Sequence, residues 1–159
     1  MKLKKIALIM ALALLCGLVS VTLAQAQSPD ELGKAIVDTY LESLKKLNEL
    51  MKDRPEPAAL APKVEALKEE TIKKMVEIGQ KVAKVDEAGK KKVDAKVSMG
   101  FSNTPMDIFK AYSEGQQFYS PKDATLGKNI KDFNIITQYA LFDLLKKQAP
   151  QEAERLGIK

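Results

Sequence analysis

Residues 28–57, SPDELGKAIVDTYLESLKKLNELMKDRPEP, contain one complete amphipathic helix together with both of its ends. The start is Ser28–Glu31, which combines a capping serine, a proline at the first helical position and a glutamate three residues after the serine. The end lies before Pro55 and Pro57, because proline lacks the N–H that continues the hydrogen-bond ladder. Between these ends, apolar residues recur at intervals of three and four and predict a buried face formed by Leu32, Ile36, Tyr40, Leu44, Leu47 and Met51.

A second helix is predicted from near Ala58 or Pro62 to about residue 85. Glutamate precedes lysine by four residues along it, as at Glu69 and Lys73, which is typical of an exposed helix face. Its opposite side is a narrow apolar seam, so we expect the first two helices to form an antiparallel hairpin. The predicted seam residues are Val64, Leu67, Thr71, Met75, Ile78, Val82 and Val85.

The rest of the chain also has helical periodicity. Asp86 is the predicted cap of a third helix, residues 98–103 are predicted to form a loop, and Thr104 and Ser120 are predicted to open two shorter elements. A last main helix is expected over residues 128–148, where apolar residues are crowded. Eight of the nine aromatic residues lie from Phe101 to Phe142. The predicted fold is therefore all-α: a small bundle of four to five helices, with the N-terminal hairpin packed on an aromatic-rich C-terminal part.

The first 26 residues are typical of a cleavable export signal. Lys2, Lys4 and Lys5 precede an apolar run, and Ala24 and Ala26 provide the small residues of a cleavage site. An uncleaved membrane anchor, or a lipid attached to Cys16, are the alternatives. The sequence thus predicts a signal peptide at 1–26, a single domain at 27–159, and a periplasmic or secreted bacterial protein without a stable membrane span after cleavage.

Composition excludes several classes of chemistry. The chain has no histidine, and its single cysteine, Cys16, lies in the predicted signal. Histidine-based hydrolysis, histidine–zinc sites, disulfides and covalent haem attachment are therefore not expected, and no catalytic residue, metal site or cofactor is predicted. Three lysines of the signal account for much of the formal net charge of +5, so a nucleic-acid partner is not predicted either.

Acidic residues share one face of the first helix. Asp38, Glu42, Glu49 and Asp53 are spaced four, seven and four residues apart. Lysines interleave with them, which favours a solvated, salt-bridged face over a metal site. Asp143 lies within an apolar run, and an ion pair at the surface with a following lysine is the expected way to accommodate its charge.

The stretch from 109 to 119 combines aromatic rings with two adjacent amides. Tyr112, Gln116 and Tyr119 would share a helix face, and such a face suits a small polar ligand or a peptide. Packing of these rings on the last helix is the alternative. The candidate residues for binding a ligand or partner are Tyr112, Gln116, Gln117, Phe118 and Tyr119.

No motif in the chain identifies a family. The sequence favours an exported helical-bundle protein that binds a protein or small molecule, in an adaptor or chaperone-like role and without catalytic activity. The alternatives are a carboxylate-based hydrolase acting on cell-wall or glycan material, for which two acids suffice, and a structural component that forms oligomers.

Overall fold

The computed structural model describes residues 27–158, and the regular elements in this range are all helical. The all-α class is confirmed for the described residues, with more helices than the four to five predicted. The predicted export signal lies outside the described residues. In chain order the elements are α1 (Pro29–Met51), α2 (Pro57–Val82), α3 (Glu87–Ser102), α4 (Met106–Tyr119), α5 (Ala124–Lys131), a 3₁₀ helix (Asp132–Ala140), α6 (Phe142–Gln148) and α7 (Pro150–Arg155).

Helix α1 begins at the predicted capping box and lies at the centre of the fold. The Ser28 hydroxyl accepts the Glu31 backbone N–H at 3.3 Å, and the Glu31 carboxylate accepts the Ser28 N–H at 2.7 Å. The six apolar positions predicted for its inner face are all buried. Through this face α1 packs against α2, α3, α4 and the 3₁₀ helix.

Helix α2 begins at Pro57, next to the earlier of the two predicted starts, and Pro62 lies inside the helix. Five of its seven predicted seam residues are buried, whereas Ile78 and Val85 are half-buried and pack against the core. Val85 also lies beyond the end of the helix. The seam thus places α2 against α1 on one side and the 3₁₀ helix on the other.

Helix α3 starts at the predicted cap but continues through the predicted loop. The Asp86 carboxylate accepts the Gly89 N–H at 2.7 Å. The loop expected at 98–103 was wrong, because the helix extends to Ser102. Gly100 lies against Val37 of α1, and a Cβ at this glycine would be 2.6 Å from Val37 Cγ2. The glycine therefore allows two helices to approach closely and does not interrupt α3.

The elements predicted to open near Thr104 and Ser120 are present, as α4 from Met106 and as a turn at 120–122 before α5, but neither hydroxyl caps a helix start. The Thr104 hydroxyl donates to the Gly100 carbonyl at 2.9 Å, and the Ser120 hydroxyl donates to the Gln116 carbonyl at 2.7 Å. Both side chains therefore bond back to the preceding helix. Helix α5 is capped instead by Asp123, whose carboxylate accepts the Leu126 N–H at 2.9 Å.

The continuous helix predicted over 128–148 was wrong as well. The segment divides into the end of α5, the nine-residue 3₁₀ helix and α6, with Leu141 at φ −119° and ψ 76° between the last two. Phe133, Ile136 and Tyr139 are buried and follow one another at every third position. A 3₁₀ helix has three residues per turn, so this conformation aligns the three side chains on one line facing the core.

The aromatic-rich C-terminal core is not confirmed. Among residues 27–158, ring contacts occur as separate pairs, Tyr40 with Phe101 at 5.2 Å and Phe118 with Tyr119 at 5.0 Å between centroids. Most of the buried core is aliphatic and draws on α1, α2, α3 and the C-terminal segments alike.

Candidate functional site

Two of the five predicted binding residues point into the core. Tyr112 and Tyr119 are buried, and their hydroxyls donate to the backbone carbonyls of Ile130 at 3.0 Å and Pro55 at 2.9 Å. Burial raises the pKa of both tyrosines. Their polar ends therefore bond to other segments of the fold and are not presented to solvent.

The other three predicted residues lie nearer the surface. Gln117 is exposed and its amide donates to the Ser113 hydroxyl at 3.3 Å, whereas Gln116 and Phe118 are half-buried. The Phe118 ring is contacted by two cations, the Arg54 guanidinium at 4.7 Å and the Lys122 ammonium at 3.3 Å from its centroid. The five residues thus do not form one exposed face. Phe118 and Tyr119 instead border a depression of about 360 Å³ between α1 and α4.

A larger groove lies between the C-terminal end of α2, the middle of α3 and the start of α6. Its volume is about 550 Å³, and it is open to solvent. Small-molecule sites in proteins are typically clefts of roughly 300–1,000 Å³ lined mainly by apolar side chains. The apolar lining here comes from three separate parts of the chain: Val82 and Ala83, Val97, and Leu141, Phe142 and Leu144.

The groove depends on a glycine. A Cβ at Gly79 would be 2.4 Å from Cε1 of the Phe142 ring, so this aromatic side chain can pack on α2 only where no side chain stands. Leu141, which lies between the 3₁₀ helix and α6, changes the chain direction just before Phe142. The helix break at Leu141, which the sequence periodicity did not predict, therefore positions one wall of the groove.

Charged residues surround the mouth of the groove. Lys90 on α3 and Asp143 on α6 form an ion pair at 3.4 Å, which joins the two walls. Lys90 also contacts Glu87 at 2.8 Å, and Asp143 contacts Lys146 at 3.3 Å. These partners lower the pKa of Asp143 and raise that of Lys90, so both groups are ionised at neutral pH. The surface ion pair predicted for Asp143 is confirmed.

Other charged side chains form exposed ion pairs along single helices. On α1, Asp38 pairs with Lys34 and Glu42 pairs with Lys46, as expected of a solvated, salt-bridged face. The described residues contain no group of three or more acidic, histidine or cysteine side chains arranged to hold a metal ion.

A second polar cluster fastens the C-terminal segments. The Lys68 ammonium on α2 donates to Asn129 at 2.7 Å and to Asp132 at 3.3 Å. The Tyr139 hydroxyl in the 3₁₀ helix donates to the Glu152 carboxylate of α7 at 3.0 Å. These bonds connect α2 with α5 and the 3₁₀ helix, and α7 with the 3₁₀ helix.

Within residues 27–158, none of the helices combines the length and the apolar character needed to cross a bilayer. Comparison of the chain with known protein families, with curated proteins and with solved structures found no match. The groove is therefore characterised by its own residues. Sequence reasoning missed it because Gly79 and Phe142 are far apart in the chain, and no local pattern indicates that they touch.

Proposed function

We propose that this protein is an exported, non-catalytic binding protein of the periplasm or extracellular space. In this proposal residues 1–26 are a cleavable signal and residues 27–159 act as one domain. The basic, apolar and small-residue regions of the first 26 residues support export. One continuous buried core shared by the described elements supports a single domain.

In the proposed architecture, α1 and α2 form an antiparallel hairpin that serves as the scaffold. Two contacts support this arrangement. The Lys81 ammonium near the end of α2 donates to the Gln27 side chain, which precedes α1, at 2.8 Å. Glu42 and Lys74, near the middle of the two helices, are also close enough to interact electrostatically.

The observation that supports a binding role most directly is the groove of about 550 Å³ between α2, α3 and α6, whose lining is apolar in part. An apolar surface that remains open to water costs free energy, which a bound apolar ligand would recover. The groove therefore replaces the Tyr112–Tyr119 segment as the proposed contact site, since the two tyrosines are used inside the fold.

The hydrolase alternative is less well supported. Glycoside hydrolysis needs one carboxylic acid with a raised pKa that can donate a proton. Asp143 is the acid of the groove whose pKa is shifted, and its lysine partners lower that pKa. It is thus a permanent anion at neutral pH, suited to an ion pair and not to proton donation.

Export can be tested by expressing the full chain in a Gram-negative host. We expect the protein in the periplasmic fraction, with Gln27 as its first residue in N-terminal sequencing. A matched variant, Ala26→Leu, removes the small residue at the cleavage position and should accumulate as unprocessed precursor. Recovery of the intact wild-type chain with Met1 from the cytoplasm would contradict the export proposal.

Ligand binding can be tested with N-phenyl-naphthylamine, an uncharged dye that fluoresces in apolar surroundings. We expect saturable binding to the wild-type protein. Ala83→Phe places a ring in the groove and should weaken binding at least tenfold, or ~1.4 kcal/mol. Ala95→Phe, at an exposed position of α3 outside the groove lining, is the matched control and should bind like wild type. Equal dye binding by all three proteins would place the dye elsewhere and contradict the assignment.

A further inference from the structure

The mouth of the groove carries charges of both signs in equal number. Lys90 and Lys146 are the cations, and Asp94 and Asp143 are the anions. The lysines and Asp143 are already engaged with one another, with Lys90 to Asp143 at 3.4 Å and Lys146 to Asp143 at 3.3 Å. The four rim side chains therefore carry no formal net charge together, and both lysines already have a carboxylate partner.

We propose that the groove takes uncharged apolar small molecules and discriminates against charged amphiphiles of similar size. The proposal rests on the proposed binding function and adds the chemical class of the ligand. An apolar body matches the lining by Val82, Val97 and Leu144. A neutral polar end would meet the rim without disturbing its ion pairs.

A charged head group that approached the paired rim residues would encounter a like charge beside each opposite one. A carboxylate that approached Lys90 would also approach Asp143, which lies within 3.4 Å of that ammonium. An ammonium that approached Asp143 would meet Lys90 and Lys146, and both already contact that carboxylate. Like charges that are brought close together repel each other. This repulsion should weaken the binding of charged amphiphiles relative to uncharged ones.

Lys90 is also positioned to cover the groove. It lines the cavity from α3 and reaches α6, and its side chain is 27% exposed. Its methylene groups can lie on apolar surface while the ammonium remains with carboxylates at the rim. Because Glu87 is a second partner at 2.8 Å, the ammonium keeps one carboxylate when the Asp143 contact breaks. An entering neutral ligand can thus displace the Lys90 stem without leaving its charge unpaired.

The test uses three ligands that share one alkyl chain: decanol, decanoate and decylammonium. Each is used to displace N-phenyl-naphthylamine from the wild-type protein at neutral pH and low ionic strength. We expect decanol to displace the dye at the lowest concentration. Decanol is also intrinsically more hydrophobic than its two charged analogues. Variants of the rim residues are therefore used to separate this effect from the effect of the rim charges.

Asp143→Asn removes one rim anion and should improve decanoate binding about tenfold relative to decanol binding by the same variant. Lys90→Gln should improve decylammonium binding to a similar extent. Lys92→Gln, at an exposed position of α3 outside the groove lining, is the control and should leave the order unchanged.

Several results would overturn the proposal. Tighter binding of decanoate or decylammonium than of decanol to the wild type would mean that the rim selects a charged head group. Unchanged ratios in both rim variants would mean that these charges do not act on the ligand. Dye displacement by an unfolded polypeptide but not by decanol would assign the groove to a protein client. Absence of dye binding to the wild type would instead remove the proposed binding function itself, a result distinct from the others.

Discussion

Replacing Ile136 with alanine is expected to lower the free energy of unfolding by about 2–5 kcal/mol, the usual cost of truncating a fully buried isoleucine. Ile136 is 0% exposed and lies in the middle of the 3₁₀ helix, in the line formed with Phe133 and Tyr139. Truncation removes apolar contacts and leaves a cavity against α2, the main packing partner of this segment.

The neighbouring residue provides a matched control. Ile135 has the same side chain and lies in the same 3₁₀ helix, but it is only half-buried and is not among the residues that pack against the core. Ile135→Ala should therefore cost less than half as much as Ile136→Ala.

The two variants can be compared by urea denaturation followed by far-ultraviolet circular dichroism. Similar slopes with different midpoints would indicate a change in stability without a change in the denatured state. An equal cost at both positions would contradict the difference in burial between Ile135 and Ile136.

Local signals in the sequence predicted the parts of the fold that local chemistry determines. Ser28 and Asp86 were recognised as caps because each has a side-chain oxygen placed to accept a nearby backbone N–H. The buried face of α1 followed from spacing alone, since a helix with apolar residues at three- and four-residue intervals has one side to bury.

The errors occurred where a competing local hydrogen bond or a tertiary contact overrides the expected preference. Thr104 and Ser120 precede prolines as helix caps often do, yet their hydroxyls bond to the preceding helix. The run around Ile136 suits an α-helix by composition, but Phe133, Ile136 and Tyr139 are buried at three-residue intervals in a 3₁₀ helix. Because Ala140 is buried as well, intervals of three and four residues also fit an α-helix, and the spacing alone does not indicate the 3₁₀ conformation. Nothing local indicates that α1 accommodates Gly100 of α3 either.

The candidate site was less predictable than the fold. Aromatic and amide side chains made the segment around Tyr112 and Tyr119 look suited to binding, but aromatic rings also fill cores. Whether a tyrosine faces solvent depends on the elements that surround it. Predicting the groove would have required knowing that Gly79 lies against Phe142 and that Lys90 pairs with Asp143. The two members of each pair are far apart in the chain.

Buried tyrosines predict a steep loss of stability at alkaline pH. Tyr112 is 6% exposed and Tyr139 is 5% exposed, and burial raises the pKa of both above the ordinary value of 10.0. Near Tyr139 the Glu152 carboxylate raises the pKa further. The folded state therefore retains protons that the unfolded chain releases above about pH 10.

The sign of the effect follows from proton linkage. Below the ordinary tyrosine pKa both states are protonated, and the contribution to stability is fully present. As pH rises above that value, only the unfolded state ionises, so each tyrosine held neutral lowers the free energy of unfolding by up to ~1.4 kcal/mol per pH unit. With both Tyr112 and Tyr139 buried, we expect denaturation midpoints to fall sharply between about pH 10 and 12.

Tyr112→Phe separates this effect from other alkaline changes. At neutral pH the variant should lose about 1 kcal/mol, because the hydrogen bond from its hydroxyl to the Ile130 carbonyl is removed. Above pH 10 its stability should fall less steeply than that of the wild type, since one group no longer titrates on unfolding. Ile135→Ala changes no titratable group, so its stability should fall with pH as steeply as that of the wild type. Lysine deprotonation occurs in all three proteins and therefore does not produce a difference between their pH profiles. Parallel pH profiles for wild type and Tyr112→Phe would show that the Tyr112 hydroxyl reaches solvent, and would contradict its burial between α4 and α5.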